Sequence, residues 1–148
     1  MVYTIKPASG SPGDCFFQCV AMSDANTEGL THVQIREKAV KEIGSNPSRY
    51  SVMLTDEERK AEPLKVRCFR MMNPGQYAEH PEVASTCRVL NCDFFIHRKS
   101  QNTENYTVIP LTADDNNSVV RPKVHLLHSH WEHKTRCHYN LLVPAPLK

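Results

Sequence analysis

The chain has 148 residues, 18 Lys and Arg against 16 Asp and Glu, a formal net charge of +2, and 40% hydrophobic residues. These are globular proportions: they exclude a disordered or fibrous chain, predict one domain over 1–148, and fall short of the dense cationic footprint of a nucleic-acid domain. No run approaches the roughly 18 apolar residues that cross a bilayer, and the N-terminus lacks a basic stretch followed by an apolar one, so neither a membrane nor the secretory route is expected.

In chain order, Val2-Tyr3-Thr4-Ile5-Lys6 alternates as a short strand, and the turn formers from Pro7 to Gly13 close it. Cys15 to Met22 is apolar nearly all round, as in a buried helix whose first turn holds Cys15. Thr31-His32-Val33-Gln34 has the capping-box spacing, with Ile35, Ala39 and Ile43 as a buried stripe and Gly44 followed by Asn46-Pro47 as the stop. A second box, Thr55 to Glu58, opens a short helix. Pro63 starts another, which carries Leu64, Val66, Cys68 and Met71 or Met72 inward, until Asn73-Pro74-Gly75 breaks it. Pro81 opens a helix with Val83, Cys87 and Leu90 inward, ended by Asn91. Four period-two segments follow: 93–97, 106–109, 124–128 and 137–143. Helices first and strands later predict an α+β fold with a mixed or antiparallel sheet.

The six cysteines include no Cys-x-x-Cys pair, so they are expected to be reduced thiols rather than zinc ligands or a disulfide framework. Cys19 is expected in the core. His125, His128, His130 and His133 resemble a metal cluster, yet they lie on a strand and a hairpin tip with alternating faces, and solvated loop histidines are expected instead. No metal or cofactor is expected.

Cys15 is placed for nucleophilic chemistry. The free amides and dipole of a helix start lower a thiol pKa, and the glycine turn before it can turn the backbone N–H groups of Gly13, Asp14 and Cys15 toward a developing oxyanion. His138-Tyr139-Asn140 supplies the complement. Alternation puts His138 and Asn140 on one face, a base and the group that holds its tautomer, with Tyr139 turned into packing.

The run from Pro12 to Ala21 resembles the cysteine box of the ovarian tumour (OTU) family of cysteine deubiquitinases, and His138-Tyr139-Asn140 resembles its terminal histidine motif. Thr31 to Pro47, Met71 to Ser85 and Cys92 to His97 are similar to the family's second helix, its following loop and helix, and its central strand. The short length is more like the OTU proteases of viruses and mobile elements. The resemblance implies a papain-related fold in which Cys15 is the nucleophile, His138 the general base and Asn140 its orienting partner. It implies hydrolysis of the bond after the C-terminal glycine of ubiquitin through a thioester on Cys15, with ubiquitin, ubiquitinated proteins and related modifiers as partners of a monomer in a host or cellular cytoplasm.

Two departures stand out. Pro12 occupies the place where the family carries Asp, three residues before the nucleophile, which leaves Asp14 as the nearest carboxylate. Tyr77 stands near where many relatives have Trp. For the basic, extended ubiquitin tail, Glu79, Glu82 and Glu132 are candidate charges and Trp131 a candidate channel wall, against their ordinary reading as solvated carboxylates and a structural indole. The alternatives are a viral polyprotein-processing protease, a ubiquitin-binding module with an inert Cys15, and a Cys/His-rich zinc module.

Overall fold

Helices begin where local side chains can satisfy the first free amides, and the two capping boxes form as expected in the computed structural model, which describes residues 3–8, 11–25, 28–99, 106–113, 120–128 and 139–144. Thr31 Oγ1 accepts from Gln34 N at 3.2 Å while Gln34 Oε1 accepts from Thr31 N at 2.9 Å. Helix α2 (His32–Ser45) follows, after α1 (Cys15–Met22). It runs through Gly44 and stops at Asn46. A residue before proline is driven out of the helical region, and Asn46 sits at φ −134°, ψ 58°. Pro47 then starts α3 (Pro47–Ser51), a turn the sequence pattern did not mark. Thr31→Ala is expected to cost about 1 kcal/mol of stability, read as a lower urea midpoint at unchanged slope.

Helix α4 (Asp56–Ala61) is followed by α5 (Leu64–Met71), whose inward face differs from expectation. Val66 and Phe69 are exposed, and the buried residues are Arg67 and Met71, one turn apart. Arg67 is inside because it is paired. Its guanidinium donates to Glu82 at 2.6 and 2.9 Å and to Glu79 at 3.2 Å. Burial opposes the charge, but the two carboxylates outweigh it and hold Arg67 above its usual range. Helix α6 (His80–Leu90) buries Val83 and Cys87, and ends at Asn91 in the left-handed conformation, φ 50°.

The strands are β1 (Tyr3–Lys6), β2 (Asp93–Lys99), β3 (Tyr106–Leu111), β4 (Lys123–His128) and β5 (Tyr139–Pro144), in the sheet order β1-β5-β4-β2-β3. Only β2 and β4 pair in parallel, so the sheet is mixed. Phe94, Ile96, Val124, Leu126, Tyr139 and Leu141 bury into one core with Phe16, Phe17 and Val20 of α1. Helix α1 lies against β5 and α2, and α2 against α6. The start of α1 is thereby set beside the start of β5.

Candidate active site

The turn Pro12–Asp14 leads directly into α1, with Asp14 N donating to Ser11 O at 2.9 Å and Cys15 N to Pro12 O. Gly13 is required there by close approach: a Cβ on it would lie 1.7 Å from Gly75 O. The opposing loop meets it through Gly75, at φ +87°, whose N–H donates to Asp14 Oδ1 at 2.7 Å.

Beneath both loops lies Arg36, which is 1% exposed. It donates to Asp14 Oδ1 at 2.7 Å and to the carbonyls of Gly13 (3.2 Å), Met71 (3.1 Å) and Gln76 (3.0 Å), and its guanidinium lies 4.5 Å from the Phe17 ring centre. One cation thus ties the cysteine loop, the end of α5 and the loop after it. Asp14 takes up the loop-ordering that Pro12 cannot supply by a side chain. Sequence reasoning passed over Arg36 as part of a capped helix. Its signal was a charge at i, i+4, i+7 with Val40 and Ile43, on a face otherwise apolar.

Cys15 itself is buried, and the N–H of Tyr139 donates to its Sγ at 3.4 Å. The expectation of a lowered thiol pKa is corrected. Burial raises it above the ordinary value and Asp14 adds to the rise, while the amides of Tyr139, Phe16 and Cys15 only oppose them. The helix start alone does not offset the burial of this thiol. Cys19, one turn on, is the core residue expected: it donates to Tyr139 O at 3.4 Å, and burial pushes its pKa to about 12. Both backbone groups of Tyr139 therefore face α1.

The turn also sets where the three expected oxyanion amides stand. The amides of Asp14 and Cys15 are engaged in the turn that presents the thiol, which leaves Gly13 as the amide of the three not committed to it. Asn140 Oδ1 accepts from Ala8 N at 3.3 Å, which ties the end of the β1 segment to β5. Tyr139 packs inward as expected, edge-on to Phe16 with ring centres 5.3 Å apart. His138, Trp131, Glu132, His130, His133 and Cys137 lie outside the described residues.

Other candidates move. Glu82 is not a solvated carboxylate; it is fully buried by its pairing with Arg67. Glu79 stays half exposed and caps α6. His125 and His128 are strand residues in packed surroundings rather than solvated loop histidines. His125 Nδ1 meets His97 Nε2 at 2.9 Å, and burial lowers both pKa values. His128 lies on the opposite face, buried on Tyr139. Among the described residues no three His, Cys, Asp or Glu side chains converge as a metal site.

A cleft of about 450 Å³ opens between the α3–α4 segment, the start of α6 and the sheet. Leu54, Glu58, Glu79, Arg98, His128 and Tyr139 are among its walls. Tyr139 is common to both places, since it lines the cleft and its amide holds the thiol.

The family model described as OTU-like cysteine protease matches residues 10–139. A comparison with curated proteins gives no match. Among solved structures, the fold is similar to the OTU domain of OTUD1 (TM-score 0.71, 17% identity, 95% of this chain and 83% of that one). It is similar to an OTU deubiquitinase from Wolbachia pipientis wMel bound to ubiquitin (0.67, 14% identity, 95% of each chain). It is also similar to the viral OTU protease of Taggert virus (0.63, 18% identity, 99% and 82%).

Proposed function

We propose that this chain, which belongs to the family of OTU-like cysteine proteases, hydrolyses the peptide or isopeptide bond after the C-terminal glycine of ubiquitin. One observation carries the reading: the Cys15 thiol stands at a helix start and takes the N–H of Tyr139, the residue that directly follows His138 in the chain. A buried thiol with a raised pKa needs a base, and the sequence supplies an imidazole one peptide bond from the amide that touches the sulfur.

In this mechanism His138 takes the thiol proton as Sγ attacks the glycine carbonyl carbon. The tetrahedral oxyanion is met by the turn before Cys15, with the Gly13 amide as the uncommitted donor. Collapse expels the lysine amine, which leaves with the proton from His138, and a thioester remains on Cys15. Water then attacks that thioester, His138 accepts its proton, and return of the proton to sulfur frees the carboxylate and the thiol. Asn140 orients the imidazole.

The cleft beside Tyr139 has both charges in its walls, with Arg98 on the sheet side and Glu79 shared with Arg67. Glu58 and Glu79 stand at its α4 and α6 walls for cationic side chains, with Leu54, Val83 and Ile96 for apolar ones. Three of the OTU structures with this fold are described with ubiquitin bound, which supports the same substrate here. The inert-module alternative rested on Pro12; the Asp14–Arg36–Gly75 ties supply the order that Pro12 leaves out. A cytoplasmic setting, which keeps thiols reduced, belongs to the same proposal.

The test is incubation with ubiquitin carrying a thiol-reactive electrophile at its C-terminus. Wild type and Cys19→Ala should gain the mass of one ubiquitin, His138→Ala should react far more slowly, and Cys15→Ala should not react. A folded wild-type protein that forms no adduct would remove the proposal.

A further inference from the structure

Tyr139 holds the thiol with its amide, and what holds Tyr139 on the far side is His128. In the register of β4 and β5 the two residues stand directly opposite. Their rings stack at 4.7 Å and 16°. His128 is in turn fixed in its plane: Arg98, on the neighbouring strand β2, donates to His128 Nδ1 from Nε at 3.3 Å and from a terminal nitrogen at 3.1 Å. Arg98 is opposite His128 in the parallel register, so the three side chains cross three adjacent strands in a row. All three line the cleft.

We infer that His128, oriented by Arg98, is a positioning residue that keeps the Tyr139 amide on the Cys15 sulfur and so sets the entry of β5 beside the thiol. The backbone N–H and carbonyl of Tyr139 are both turned to α1, where Cys15 and Cys19 meet them, so its ring adds a side-chain tie to the β4–β5 pairing across the sheet. Stacked on one side by His128 and met edge-on by Phe16, that ring is held from two directions, which restrains the backbone that carries it. Nδ1 is the atom that takes both Arg98 contacts, so the guanidinium fixes the imidazole from one edge. The inference rests on the proposed reaction for its catalytic consequence, but the positional claim stands on contacts alone.

The experiment follows two quantities in wild type, His128→Ala, His128→Phe and Arg98→Met. The first is hydrogen exchange of the Tyr139 amide by NMR, with no ubiquitin present. The second is kcat on a ubiquitin C-terminal substrate, with circular dichroism as the check on folding. In His128→Ala we expect Tyr139 exchange about tenfold faster and kcat lower by about tenfold to a hundredfold, the scale on which small misplacements act. His128→Phe keeps the stack and should return both close to wild type. Arg98→Met leaves the stack but frees its plane, and should shift exchange in the same direction by about threefold. Unchanged Tyr139 exchange in His128→Ala, or in Arg98→Met should the first variant not fold, overturns the inference, as does failure of His128→Phe to restore it. A wild type inert toward ubiquitin would remove the proposed reaction while Tyr139 exchange still decides the role of His128.

Discussion

Arg36→Ala is expected to destabilise the protein by about 3–5 kcal/mol, because it strands a buried carboxylate. Asp14 is nearly as enclosed as its partner, with side chains 7% and 1% exposed, and the pair meets at 2.7 Å. Deleting the guanidinium also removes the donor to the carbonyls of Gly13, Met71 and Gln76 at once. Those three carbonyls lie on two stretches that share no strand or helix, so the tie that remains between them is the Gly75 N–H on Asp14 Oδ1. Urea denaturation should show the midpoint falling with the slope unchanged. The contribution of the unpaired charge can be separated: in an Asp14→Asn background the further cost of Arg36→Met should be smaller than in wild type, a coupling that a double-mutant cycle reads directly. An unaltered midpoint for Arg36→Ala would show that Asp14 has another route to neutralisation.

Gly13→Ala is expected to act on activity more than on stability. The added Cβ would have to occupy a point 1.7 Å from Gly75 O, whereas real Cβ contacts stay beyond about 3 Å, and the obstruction is backbone rather than a side chain that can swing away. The turn before Cys15 must move by more than 1 Å, carrying the Gly13 amide with it. A displacement of that size should lower kcat by about a hundredfold or more while KM changes little. Gly75→Ala provides the contrast. It meets only Ser11 Oγ at 3.8 Å, so its penalty is the left-handed backbone at φ +87°, a strain of about 1–2 kcal/mol without a clash at the site. Equal kcat values for Gly13→Ala and wild type would mean that the two loops separate freely.

Much of this architecture could be read before any coordinates. Thr31 with Gln34 and Thr55 with Glu58 announce their helices because capping is a local exchange of hydrogen bonds over three residues. The period-two segments became strands at nearly the expected bounds, and the Cys15 helix began at Cys15. Polar burial was the part that escaped. Val66 is exposed, Glu82 was expected in solvent and is inside, and Arg67 and Arg36, for which the pattern gave no sign, are inside as well. A charge is buried when a partner from a distant segment satisfies it, and no window of the sequence contains both partners: Arg36 and Gln76 are 40 residues apart, Arg67 and Glu82 are 15.

The same division runs through the site. Residue order and type alone determined the family resemblance, the thiol at a helix start and the histidine motif at the entry to the last strand, because these depend on near neighbours along the chain. Only the tertiary structure decided that Asp14 joins the cysteine loop to Arg36 and to the loop that carries Gly75. It also decided that burial raises the Cys15 pKa against the pull of the helix start, and that His128 backs the tyrosine touching the sulfur. Each of these is a balance of solvation and packing among segments far apart in sequence, and such a balance has no value until the chain has folded.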